Sequence, residues 1–568
     1  MKNLLLALTL LTTNIVYAKS YVVELKPNFT KKDLKRIRTI KNVKSLDRFT
    51  NYKSSYFDRL YSLETLDAVN SLALIKKDPA IKLIENDFEA QYFEIRINKN
   101  SEMLTDDLLF PQQWALYNQE QIVEKRSLSG NKIIINGVRG VDINWNKKIQ
   151  EVEQRLVKRP VVAVVDMGID FDHPELKDSI FKNTKECDEN LSVPTKKIDR
   201  DGNALPSDCH GWNFAATSRE EQFYPFDDKG HGTHISGIIS AKKNNTLGIG
   251  GVSDKIQILP IRVTGRVDET NEKNKLLMRS PSKRIANGIL YAIKMNVDVI
   301  NLSLGWPKSM DTKFMRNVIT EAINKGIVVV AAAGNDNSSA SIYPCNYYDV
   351  ICVGSVNIDG NVSDFSNHGG QVDILAPGDQ IISTIPTEFI PLKLNMQGYD
   401  IFSGTSQAAP FVSATAALHK GINPDISLDE IKKRLFSTTR PKLNSEKSLK
   451  GLLNFSDSFE DIKGPLVLPD FKELNQAQVV PETGIFQFPV YLKNYGETQD
   501  KLKIEISSLN SNIDILKYQN TLETPLEYGT PLSINVVARV KNFSSDHRFN
   551  FVVKLKDEKN GIQTFSHS

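Results

Sequence analysis

The sequence is short of several things. It has no excess of charge of either sign, since 71 Lys and Arg stand against 68 Asp and Glu, a formal net charge of +3. So balanced a surface gives no reason to invoke nucleic acid or a long-range charged partner. Beyond the N-terminus there is no run of about 18 apolar residues, the length a membrane-crossing helix needs. The mature chain is therefore expected to be soluble, with no membrane span. No oligomerisation signal is visible, and a monomer is expected. Cysteine is scarce, with four residues: Cys187, Cys209, Cys345 and Cys352.

What is present is length and a large apolar fraction. The 568 residues, 40% hydrophobic and 24% charged, suffice for about two to four domains. The first residues read MKNLLLALTLLTTNIVYAKS. A lysine, a short apolar run and Val16-Tyr17-Ala18 form the pattern of a secretory signal peptide cleaved after Ala18. The other reading, a membrane anchor, ranks second because Thr12, Thr13 and Asn14 interrupt the run. An exported chain with an even cysteine count favours disulfides, and four cysteines allow three connectivities. Proximity in sequence pairs Cys345 with Cys352 and leaves Cys187 with Cys209 around a polar insertion. Buried free thiols are the alternative.

Three stretches stand out. Residues 402–410 read FSGTSQAAP and precede a helix-forming run, which puts Ser406 at or near a helix N-terminus. Orphan backbone N–H groups and the helix dipole there favour developing negative charge. By itself this could be an ordinary helix cap. Residues 161–170, VVAVVDMGID, are a buried β run ending in Asp166 and a Gly168 turn, and residues 230–237, GHGTHISG, set His231 between glycines. An Asp, a His and a Ser in that chain order suit a triad of orienting carboxylate, general base and nucleophile. Together the three stretches resemble the subtilisin-like serine proteases.

That resemblance implies a secreted endopeptidase acting through Asp166, His231 and Ser406, with His234 structural. In residues 331–337, AAAGNDN, it makes Asn335 the side-chain donor to the oxyanion, a role suited to a neutral amide. In residues 301–305, NLSLG, it makes Ser303 and Gly305 the backbone that pairs with the substrate as a strand. Side-chain preference would come from the region of residues 332–335 and 343–344, with Asp336 on the rim favouring basic residues. Two positions depart from the family pattern. Met167 stands where Ser or Thr usually follows the aspartate, and Gln407 replaces the usual Met beside the nucleophile. The runner-up reading is a catalytically silent binding protein on the same scaffold.

The resemblance also implies structural Ca2+. One candidate is the loop 199–208, DRDGNALPSD, with Asp199, Asp201, Asn203 and Asp208 as oxygen donors. The other combines Glu175, Asn245 and the carbonyls of Leu247 and Ile249. A solvated polar turn is the alternative for each.

Four regions are expected. Residues 1–18 are the signal. Residues 19–100, with strands at 21–25 and 81–92 and helices at 32–40 and 66–77, resemble the family's inhibitory prosegments, so the chain's own prosegment would be an intramolecular inhibitor beside its protein or peptide substrates. A permanent N-terminal domain is the alternative. The maturation cut is expected between residues 93 and 107. Residues 101–454 alternate apolar strands (161–165, 256–263, 297–304, 327–333, 372–375) with helices (231–242, 283–295, 313–325, 406–420). That pattern fits an α/β fold with a mostly parallel sheet covered by helices on both faces. Residues 455–568 read as short alternating strands of a β-sandwich.

Overall fold

The computed structural model describes residues 19–40, 43–48, 60–65, 74–86, 104–126, 132–187, 199–216, 218, 221–264, 281–391, 394, 396–440, 451–462, 466–470, 472, 478–480, 484–522, 524–541, 551–557 and 561–567. The expected signal segment, residues 1–18, lies outside them. The chain divides into two units, Met1–Tyr92 and Phe93–Ser568.

In the first unit, β1 (Lys19–Leu25), β2 (Val43–Arg48), β3 (Leu60–Thr65) and β4 (Ile81–Asn86) form an antiparallel sheet in the order β2-β3-β1-β4. Helix α1 (Lys31–Arg38) starts at a Thr30–Asp33 capping box, which satisfies two orphan N–H groups reciprocally. Val23, Leu25, Ile37, Leu46 and Ile75 make its small core. Of the helix expected over 66–77, residues 74–76 form one turn and 66–73 lie outside the described residues. The strand expected over 81–92 is described to residue 86. Strands β2 and β3 went unread in the sequence.

The second unit opens with a hairpin of β5 (Ile122–Arg126) and β6 (Lys132–Asn136), then α2 (Lys148–Gln154). Its centre is a seven-stranded parallel sheet of β7 (Val161–Asp166), β8 (Trp212–Asn213), β9 (Gln257–Arg262), β10 (Val299–Leu302), β12 (Val328–Ala332), β14 (Ile351–Val356) and β15 (Ile374–Pro377). The order is β15-β14-β12-β10-β7-β9-β8. Off the sheet, β11 (Trp306–Pro307) pairs with β13 (Ile342–Tyr343), and β16 (Ile381–Thr384) with β17 (Tyr399–Phe402).

Successive residues of the central strands enter different cores. Val162 and Val164 belong to one, Ala163 and Val165 to the other. This is why the strands read as unbroken apolar runs rather than alternating ones. On the first face lie α3 (His231–Ser240) and α6 (Thr405–Ile422); on the second lie α4 (Pro281–Lys294) and α5 (Lys313–Asn324). Helix α6 is buried along nearly its whole length. Its alanines let it pack against β10, β12, β14 and β15 at once. Helix α7 (Leu428–Ser437), capped by Ser427, follows it.

The C-terminal strands form two antiparallel sheets. One holds β18 (Val467–Asp470), β19 (Gln478–Val480), β20 (Ile485–Asn494), β22 (Ile513–Lys517) and β23 (Pro531–Val540); the other holds β21 (Leu502–Ser508), β24 (Phe551–Asp557) and β25 (Gly561–His567). Their inward residues join the first core of the central sheet, with Tyr495 edge-on to Phe436 of α7 at 6.3 Å. They are thus part of the second unit.

Candidate active site

Asp166 ends β7 and is 3% exposed. One of its oxygens, Oδ1, faces His231 Nδ1 at 2.8 Å and accepts the Met167 backbone N–H at 2.7 Å. The Met167 main chain thus supplies a hydrogen bond at the place where its side chain offers none. His231 is the first residue of α3, whose start lies against the Gly168 turn. A Cβ on Gly232 would stand 2.1 Å from Gly168 O. Only glycine allows this approach, and it sets the Asp166–His231 distance.

Buried Asp227 holds the turn before His231. Its Oδ1 accepts from the backbone N–H groups of Lys229 and Gly230, and its Oδ2 from Thr233 N and Oγ1. Burial pushes its carboxyl up to about 6. Burial by itself would lower the His231 imidazole, but the charge and hydrogen bond of Asp166, with the charge of Asp227, outweigh it and raise its pKa. The site therefore stabilises the imidazolium relative to a free histidine.

Ser406 is the second residue of α6 and half-buried. Four residues on, Pro410 lies inside the helix. Proline has no N–H to give the carbonyl of residue i−4, here Ser406 O. Ser303 Oγ takes that place, donating to Ser406 O at 2.8 Å, while Ser406 Oγ donates to Ser303 O at 3.1 Å. Ser303 Oγ is itself held by Asn301 Nδ2 at 3.0 Å, and Asn301 Oδ1 by Ser413 Oγ at 2.8 Å. A buried polar chain from α6 through β10 thus fixes the Ser406 turn.

Asn335 follows β12 and is exposed. Its Oδ1 accepts from Thr405 N at 2.8 Å and Thr405 Oγ1 at 2.9 Å. With the oxygen so engaged, Nδ2 is turned toward Gly404, 3.3 Å from where a Cβ on that residue would lie. Asn367 holds the loop behind it, bonding Asp336 N, Ser338 N and Ala333 O. Asp336 is exposed.

The subtilase family profile matches residues 158–454, more than half of the chain and the part that holds all of these groups. The chain belongs to the subtilase family. It is 35% identical over 257 residues to the thermophilic serine proteinase of Bacillus sp. (strain AK1), covering 45% of this chain and 51% of that protein. Subtilisin amylosacchariticus of Bacillus subtilis subsp. amylosacchariticus is 33% identical over 297 residues, 52% of this chain and 64% of that one. The major intracellular serine protease of Bacillus subtilis (strain 168) is 31% identical over 300 residues, 51% of this chain and 78% of that one. The chain thus spans half to two thirds of the length of the first two of these relatives.

In this subtilase, Gly305 precedes β11, and a Cβ on it would come 2.7 Å from Ile342 Cγ2. Gln407 is buried, and its Nε2 has no partner among the described residues. Both expected disulfides are present, Cys187–Cys209 and Cys345–Cys352.

Subtilases commonly bind structural calcium, and two loci for it were read from the sequence. At the first, Asp201 and Asp208 converge with Glu186, their carboxylate oxygens within 4.8 Å of one another. Burial, with the charge of Asp201, pushes Asp208 up to about 6. Crowded carboxylates, those of Glu186 and Asp208 buried and that of Asp201 half-buried, are a donor set that fits a hard cation. Asn203 Nδ2 donates to Asp201 and Asp208, and Asn183 Nδ2 does the same. Asp199 stands apart, accepting from the backbone of Gly202, Asn203 and Ala204 as a loop cap. At the second locus, as at the first, the carboxylate accepts protein donors. Glu175 accepts from Asn245 Nδ2, Ile249 N and Tyr399 OH, and Leu247 O accepts from Leu108 N.

Asn301, Ser413, Asn367, Asp227, Glu186 and Asn183 were not read from the sequence as parts of these sites. Asn301 lay within the NLSLG stretch, and Asp227 just ahead of GHGTH. Glu186 and Asn183 sit before the loop and reach it only through the fold.

Proposed function

We propose that this subtilase is a serine endopeptidase acting on protein or peptide substrates through an acyl-enzyme on Ser406, made as an exported, self-processed zymogen. The observation that carries the reading is the Asp166–His231 couple at the head of α3, which packs on α6, the helix that begins at Thr405-Ser406. His231 Nε2 takes the Ser406 proton as Oγ attacks the scissile carbonyl. Asp166 holds the Nδ1 proton and supports the imidazolium. Asn335 Nδ2 and the α6 N-terminus receive the oxyanion. His231 then gives its proton to the leaving amine as the C–N bond breaks, and water repeats the cycle on the acyl-enzyme. Ser406 Oγ is turned to Ser303 O here; catalytic hydrogen bonds of this kind commonly align only with substrate bound.

The first unit serves as the prosegment and the segment 1–18 as its signal. Two disulfides suit export to an oxidising compartment. Asp201, Asp208 and Glu186 would hold a calcium ion that cross-links the 199–208 loop to the residues before it. Among the described residues no helix is long and apolar enough to cross a membrane.

Intact-mass analysis of wild type beside Ser406→Ala, each with and without a fluorophosphonate, tests the reading. Wild type should lose the N-terminal unit and gain the label, and Ser406→Ala should do neither. A wild type that stays full length and unlabelled would bring forward the silent binding scaffold.

A further inference from the structure

The C-terminal sheets reach toward the active site by a definite route. Residues 345–352 form a loop closed by the Cys345–Cys352 disulfide. At one end the loop continues β13, which pairs with β11 directly beyond Gly305. At the other, Cys352 lies on β14 beside β12, the strand that leads to Asn335. Within the loop, Tyr347 packs on Tyr343 and Trp306, ring centroids 5.0 and 6.4 Å apart. A shift of this loop therefore moves β13, β11 and the Ser303–Gly305 segment with them.

Two lysines of the C-terminal region grip the loop. Lys472 Nζ donates to Val350 O at 2.6 Å and pairs with Asp373 at 2.5 Å, its side chain 1% exposed. Lys493 Nζ lies 2.6 Å from Asp429 and 4.0 Å from Asp349, and over the rings of Tyr348 and Tyr495. From α7, Lys432 meets Asp349 at 3.1 Å and also faces Tyr348. Burial would raise the Asp349 carboxyl, but Lys432 and Lys493 hold it below its ordinary range. Exposed ion pairs contribute little. Here the lysine ends are buried while Asp349 and Asp429 are half-buried, so losing a lysine leaves a partly desolvated carboxylate without its partner.

We propose that the C-terminal β region stays on the mature enzyme as a brace, with Lys472 and Lys493 as positioning residues that hold the 345–352 loop and, through it, the strand that aligns extended substrates. This rests on the endopeptidase reading above. It assigns the C-terminal region a part in recognition of long peptides rather than in the chemical step.

The test uses the full chain with Lys493→Met, which leaves Asp349 its Lys432 partner, together with Lys493→Arg and Tyr348→Leu. A hexapeptide amide, a single-residue ester and the fluorophosphonate labelling rate are compared. For Lys493→Met and Tyr348→Leu the hexapeptide kcat/KM should fall about tenfold, mostly in KM, while ester turnover and labelling stay within about twofold. Lys493→Arg should restore the hexapeptide, and active wild type should retain the C-terminal mass. A parallel fall in all three readouts, no change in any, or an active mature form lacking the C-terminal region overturns the brace. A wild type that neither labels nor cleaves either substrate overturns the endopeptidase reading itself, and the brace with it.

Discussion

Ser303 and Ser406 exchange two hydrogen bonds: each side chain donates to the other's carbonyl oxygen, at 2.8 and 3.1 Å. One of them exists because Pro410 denies Ser406 O its helical donor. Ser303→Ala should therefore leave both Ser406 O and Asn301 Nδ2 short of a partner. We expect a stability loss of about 1–3 kcal/mol and a fall in kcat with KM little changed. Pro410→Ala gives Ser406 O a helical N–H and frees Ser303. It should leave stability unchanged or raised, yet lower kcat. Paired denaturant titrations and steady-state kinetics check both; a Pro410→Ala enzyme with full kcat would show that Ser303 is not needed for the alignment.

Asn335 has its oxygen engaged by Thr405 and its Nδ2 on the side of Gly404. Asn335→Ala should cost kcat roughly a hundredfold or more, the scale of losing one oxyanion donor. Labelling by a fluorophosphonate, which passes through a similar charged state, should slow in step.

The pH profile follows from His231. The base must be neutral, and its pKa is raised above the ordinary 6.5, so the acid limb of kcat/KM should lie above pH 6.5. Asp227, pushed up to about 6, loses its charge at the foot of that limb. Stability runs the other way. A raised histidine pKa contributes stability that is fully present below 6.5 and lost as pH rises through the folded value. A limb below pH 6.5 in a kcat/KM titration would show that burial outweighs Asp166.

Gln407 buries an amide whose Nε2 has no partner among the described residues. Gln407→Met keeps the volume and removes the polar atoms. We expect a gain of about 1–3 kcal/mol, read by thermal unfolding in a Ser406→Ala background to prevent autolysis.

The Glu186, Asp201 and Asp208 cluster should make Tm calcium-dependent, since a ligand that binds only the folded state stabilises it. A chelator should lower Tm of the Ser406→Ala protein, and Asp201→Asn should remove most of that response. An unchanged Tm on chelation would leave the cluster as a hydrogen-bonded polar turn.

Local chemistry made much of this protein legible from its sequence. Unbroken Val and Ile runs announced β7, β10 and β12, because a strand buried on both faces has no polar side to show. The helix starts at His231 and Thr405-Ser406, the two nearby cysteine pairs and the alternating C-terminal strands were equally local features. Strand β14 escaped notice, since its Cys, Gly and Ser blur the pattern, and α7 did too. What no stretch could contain is contact between distant residues. Ser303 replaces the helical donor that Pro410 withholds, 103 positions from Ser406. Glu186 joins Asp201 and Asp208, and Lys472 pairs with Asp373, 99 positions away. Such pairings depend on parallel crossovers that place sequence-distant strand ends side by side, and on burial, which makes a lone charge or unmet carbonyl costly enough to require a partner.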